Sequence, residues 1–275
     1  MQLPPRCEQF IRERQFIANV SCRTLEWYRD SLRWLPETEP TQLTQADLCA
    51  VVIRIRESGR SAAGVNCAGR AINAFLKWSG SPFKLPKLRE ESKLPSTLTD
   101  AQIQLLLRYK GNRRRLHLLV LLMLDTGCRI SEALGLNVAD VDMGNLLVRL
   151  DGKGRKQRLV PISFALRKAI YRYISENELR DTDLLLGTKT GTMLTRRNAL
   201  RDVAQLCREL GFKVPARGLH CFRHTFAVFY LRRGGSVFHL QKVLGHSTLE
   251  MTRRYANLVT NDLQALHERV SLLSR

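Results

Sequence analysis

Apolar positions recur at helical spacing from Phe10 to Leu35. Phe10, Phe16, Ile17, Val20, Leu25, Trp27, Tyr28, Leu32 and Leu35 group into two short helices divided near residues 21–24. Pro36 and Pro40 interrupt that pattern. A third helix is predicted from Gln45-Ala46-Asp47 through Val51, Val52, Ile53 and Ile55 to Gly59, and a fourth from Ala62 to Trp78, closing on Gly80. Residues 1–80 therefore read as a small helical bundle. Residues 81–97 carry Pro82, Pro86 and Pro95 among mixed charges without periodicity, which predicts a linker and a domain boundary. Thr99 and Gln102 form a capping-box pattern opening a helix that ends at Gly111, and residues 113–125 are apolar nearly all round, as a central core helix would be. That helix breaks at Gly127 and another begins, with Arg129 at the boundary. Residues 146–150 and 158–162 flank Asp151-Gly152-Lys153-Gly154-Arg155-Lys156 and predict a β-hairpin with a cationic, glycine-rich tip. Further helices are expected over 163–176, 196–210, 220–233 and 237–244, with a short one leading to Tyr255. In the tail, 258–275, Leu263, Leu266, Val270 and Leu273 fall on one helical face. The expected fold is mainly α: a helical bundle (1–80), a linker (81–97) and a mostly helical larger domain (98–275) with one small hairpin.

Composition changes this picture in one respect. At 275 residues and 44% hydrophobic content the chain has ample material for two cores, but its formal net charge is +20. Such an excess points to a polyanion, most simply nucleic acid. Residues 98–275 hold 30 Lys and Arg against 15 Asp and Glu, so the polyanion should lie most heavily there. No run of about 18 apolar residues exists to span a bilayer. The first residues lack a secretory apolar run, which predicts a cytoplasmic protein. Seven cysteines with no Cys-x-x-Cys pair fit small, reduced side chains and indicate neither a disulfide framework nor a zinc site.

The chemistry concentrates between Gly218 and Asn257, where His220, Arg223 and His224 share one helical face and are followed by Gly245-His246 and Tyr255. Arg129, Lys153, His246 and Tyr255 each follow a glycine-bearing turn or a helix end, unlike a uniform charged face. A phosphodiester attacked by oxygen gathers negative charge on its equatorial oxygens, and two guanidiniums match these better than two ammoniums. Arg129 and Arg223 fit that task. A phenol with an ordinary pKa of about 10 needs a proton acceptor, which His220 can supply, and Lys153 can protonate the leaving oxygen. A tyrosine nucleophile conserves the bond energy in a covalent phosphotyrosyl link, so resealing needs neither ATP nor metal. No phosphate-binding Gly-Lys loop, His-Glu-x-x-His or magnesium-type carboxylate cluster offers a competing route, so no cofactor is expected.

With these residues in view the chain resembles the tyrosine recombinases, or phage integrase family, over about residues 97–260. The resemblance rests on Thr126-Gly127-Cys128-Arg129-Ile130-Ser131-Glu132, Gly152-Lys153-Gly154-Arg155-Lys156, His220-Cys221-Phe222-Arg223-His224, Leu244-Gly245-His246 and Thr252-Arg253-Arg254-Tyr255 in the family's order. It implies that Tyr255 forms a 3′-phosphotyrosyl bond, Arg129 and Arg223 clamp the phosphate, His220 is the general base and Lys153 the general acid. His246 would donate a hydrogen bond to the phosphate, and Glu132 would orient the site. Lys156 is the rival of Lys153, and His224 is expected to pack or hydrogen-bond. Residues 1–80 would be the core-binding domain that closes on duplex DNA, with no room before it for a further arm-binding domain. The tail would dock on a neighbouring protomer, giving a tetramer or paired dimers on a recombination site. Integration, excision, dimer resolution and movement of a mobile genetic element all fit this chemistry. A type IB topoisomerase, or a basic DNA-binding regulator with vestigial residues, is the alternative reading. Cys128 and Cys221 flank Arg129 and His220, so a reachable thiol there would make cleavage sensitive to thiol modification.

Overall fold

The structure, a computed structural model, describes residues 3–90, 95–152, 157–215, 218–256, 267 and 271. It divides into two compact units, Met1–Lys93 and Leu94–Arg275. Among the described residues no helix is long and apolar enough to cross a membrane.

The first unit holds α1 (Pro5–Phe16), α2 (Cys22–Leu32), α3 (Gln45–Glu57) and α4 (Ala62–Trp78). Ser21, Thr44 and Ser61 start the last three by accepting a backbone N–H two or three residues into the helix, relieving donors that have no partner within it. Phe10 is the hub of the core, edge-on to Tyr28 at 5.0 Å and to Phe75 at 5.5 Å between ring centroids. Part of the expected linker docks on α4. Asn73 takes the Leu85 N–H at 2.7 Å and returns a bond to its carbonyl at 3.2 Å, while Asn66 does the same for Leu88 at 2.8 Å each way. These two amides, about two turns apart on the helix, give the segment docked on it backbone partners of the kind a strand finds in a sheet.

The second unit is built around α6 (Arg114–Thr126), whose Leu118, Leu119, Val120, Leu122 and Met123 are buried. Before it lies α5 (Asp100–Leu107), started by the Thr99 and Gln102 capping box, and after it α7 (Ile130–Leu134). The hairpin is present as β2 (Leu147–Asp151) and β3 (Gln157–Pro161), antiparallel, with Asp151 opposite Gln157. A third strand, β1 (Val141–Asp142), pairs with β2 and was not anticipated, because two residues are too short to register as alternation. Helices α8 (Phe164–Glu176), α9 (Arg196–Glu209), α10 (His220–Arg232), α11 (Val237–Leu244) and α12 (Glu250–Ala256) complete the unit, with α8 and α10 packed on α6. The expected tail helix lies outside the described residues except for His267 and Ser271, joined by a backbone bond of helical spacing at 2.8 Å. The hairpin tip, 153–156, lies outside them too.

Candidate active site

Gly127 ends α6 with φ +61°, and a β-carbon there would stand 2.3 Å from the Phe226 ring and 2.9 Å from Leu244. Only glycine permits this turn. The turn brings the Gly127 carbonyl to Arg223, on the first turn of α10, whose Nη1 donates to it at 2.8 Å while Nη2 donates to the Leu244 carbonyl at 2.7 Å. Arg223 is thereby fixed to the C-terminal ends of α6 and α11, where helix carbonyls lack partners of their own and attract a cation. Burial, with Arg129 next in effect, lowers its pKa to about 10, so the guanidinium stays charged at neutral pH.

Two residues past Gly127, Arg129 opens α7. Glu132 accepts its backbone N–H through Oε2 and its Nη1 through Oε1, both at 2.7 Å. A second guanidinium meets the same carboxylate: Arg158 of β3 donates Nη1 to Oε1 at 3.0 Å and Nη2 to Oε2 at 2.8 Å, and its Nε donates to the Val243 carbonyl at 2.8 Å. Burial alone would raise the Glu132 carboxyl. The bonds from Arg158 and from the Arg129 backbone outweigh it and hold the pKa at about 2.

Tyr255 on α12 is buried, its hydroxyl 2.8 Å from Nδ1 of His224. His220, one turn earlier on α10, is exposed, its ring centroid 6.1 Å from that of His224. The ring of His246, just past the left-handed Gly245 that ends α11, lies 6.3 Å from the Tyr255 ring and nearly parallel to it, with Nδ1 2.9 Å from the Thr252 hydroxyl. Burial lowers the His246 pKa to about 4, and Arg223, Arg129 and Arg158 add to this, so the imidazole is neutral near pH 7.

Of the predicted set, the structure brings Arg129, Glu132, Arg223, His246 and Tyr255 together, with His220 at the rim. Lys153, and its rival Lys156, lie outside the described residues. Arg158 was missed, although a signal was present: on β3 it shares a face with buried Val160, and an inward cation on an apolar stripe implies a buried anion. His224 does hydrogen-bond, as expected, but to the tyrosine itself. Cys128 and Cys221 are fully buried, and burial drives their thiols to about 11 and about 12, which leaves no accessible thiolate beside the site.

Comparison with known proteins gives a consistent picture. Residues 96–261 match the phage integrase family. The chain is 30% identical over 238 residues to tyrosine recombinase XerA of Pyrococcus furiosus, covering 84% of this chain and 82% of that protein. It is 32% identical over 238 residues to tyrosine recombinase XerC of Mycobacterium tuberculosis, covering 77% of this chain and 78% of that one. Among solved structures, the Tn1549 transposon integrase in complex with transposon right end DNA superposes with a TM-score of 0.78 at 20% identity, covering 97% and 99% of the two chains. The XerH site-specific recombinase bound to palindromic difH substrate follows at 0.73 and 21%, covering 98% and 84%. At these identities the two structures speak to fold alone.

Proposed function

The chain belongs to the phage integrase family and is a tyrosine-type site-specific recombinase, and from that premise we propose that it cuts and rejoins duplex DNA through Tyr255. The observation that carries this reading is that Arg223 lies within electrostatic reach of both Arg129 and Tyr255, with the His246 ring stacked beside the Tyr255 ring. Tyr255 Oη attacks the phosphorus, the bond from phosphorus to the 5′ oxygen breaks, and a 3′-phosphotyrosyl link is left with a free 5′-hydroxyl. The phenol proton passes to His220, and Lys153 protonates the departing oxygen. Arg129 and Arg223 hold the equatorial oxygens, and Glu132 fixes Arg129. His246 donates to the phosphate through Nε2, a role that requires the Thr252 hydroxyl, 2.9 Å from Nδ1, to be the donor of that bond. Attack by a second strand's 5′-hydroxyl reverses the sequence and exchanges strands. The first unit supplies the core-binding surface for DNA, and the tail docks between protomers of a tetramer or paired dimers.

Nicked duplex DNA captured covalently from a randomised pool tests this and yields the target sequence. Wild-type protein should retain an adduct through denaturing electrophoresis and Tyr255→Phe none. An adduct of equal yield from the phenylalanine variant would remove Tyr255 from its role, and none from either would favour a non-catalytic DNA-binding protein.

A further inference from the structure

Glu132 is shared by two guanidiniums, and only one of them faces the reaction in the proposal above. Its side chain is 2% exposed, that of Arg158 12% and that of Arg129 29%. A carboxylate this enclosed with a single cationic neighbour would cancel that neighbour's charge. With Arg158 also engaged, the trio carries a net charge of +1, and the surplus lies on Arg129, the more open partner. Arg158 is held on every side that matters here. Its fork grips both Glu132 oxygens, its Nε holds the Val243 carbonyl, and its Cδ would stand 3.1 Å from a β-carbon at Gly245, so its stem lies close against that glycine. It therefore spans three pieces of the site: the start of α7, the strand that follows residues 153–156, and the turn from which His246 projects.

Resting on the reading of Tyr255 as nucleophile, we infer that Arg158 is a positioning residue for strand cleavage, compensating Glu132 so that Arg129 meets the phosphate with its full charge and fixing the His246 turn to the same carboxylate. It does not itself touch DNA in this role. Its removal leaves Glu132 to neutralise Arg129, and the loss falls on the transition state, where phosphate charge is greatest, more than on binding.

The test uses the full chain and the nicked duplex selected by covalent capture on wild-type protein. Arg158→Gln should slow adduct formation at saturating DNA on the order of a hundredfold, as misplacement of a catalytic group does, while the DNA concentration for half-saturation hardly moves. Arg158→Lys should recover part of the rate. Adding Glu132→Gln to Arg158→Gln should also recover part of it, because the uncompensated carboxylate is gone. Thermal melting accompanies each variant. Should Arg158→Gln fail to fold, the lysine variant and the charge-balanced double variant carry the comparison, since removing both partners of a buried pair is tolerated far better than removing one. Cleavage by Arg158→Gln at the wild-type rate overturns the inference, as does a folded double variant no faster than a folded Arg158→Gln. Tyr255→Phe in each background should give no adduct, and an adduct there would instead count against the nucleophile on which the inference rests.

Discussion

At the residue scale burial acts most on two groups of the site, the Arg223 guanidinium and the His246 imidazole. His246 illustrates the consequence for stability. Between about pH 6.5 and about 4 the unfolded chain binds a proton at this position and the folded chain does not, so the stability owed to neutral His246 is complete above the upper value and is lost as pH falls through the window. The charged and titratable groups facing it are Arg223, Arg129, Arg158, His224 and the Tyr255 phenol. Melting temperatures measured across that range should fall more steeply for wild type than for His246→Asn. Parallel curves would show that the imidazole is not held neutral. Near neutral pH the same residue should contribute no ionisation to the pH profile of cleavage.

At the element scale the glycine turns decide where the side chains go. Gly127→Ala forces a β-carbon into the left-handed region and against Phe226 and Leu244. It should cost about 3 kcal/mol, combining backbone strain with overpacking. Because the Gly127 carbonyl also holds Arg223, adduct formation should drop in the fraction that remains folded; chemical denaturation and covalent capture together would separate the two effects. These turns were also what made the sequence legible. Helix α4, read from about Ala62 to Trp78 with Gly80 as its stop, runs over those residues, and the Ser61 cap seen in the structure agrees with that start. Arg129, His246 and Tyr255 stood out because each follows a break in periodicity. Arg158 did not, since its meaning comes from Glu132, a partner 26 residues away whose approach only tertiary packing brings about. The docking of residues 85–88 on α4 was equally hidden: proline-rich, aperiodic sequence reads as a linker, and the asparagines that capture it lie on a helix already explained by its apolar face.

At the scale of the whole molecule, the +20 charge should govern DNA affinity. With six or more phosphates neutralised, counterion release should weaken binding on the order of a thousandfold between about 50 and 200 mM salt. A flat salt response in filter binding would argue against a polyanionic partner. Removing residues 260–275 should spoil cooperative assembly on paired sites while single-site binding survives, which a titration on one-site and two-site DNA would resolve; loss of folding would instead assign the tail to its own domain. The two carbonyls that hold Arg223 carry a further meaning for the order in which the site is made. A chain still leaving the ribosome has made Gly127 and Arg223 before Leu244 exists, and Leu244 before Tyr255. On the proposal that Tyr255 is the nucleophile, the cutting group is made after both parts of the clamp, so a chain not yet synthesised past residue 254 has nothing with which to break DNA.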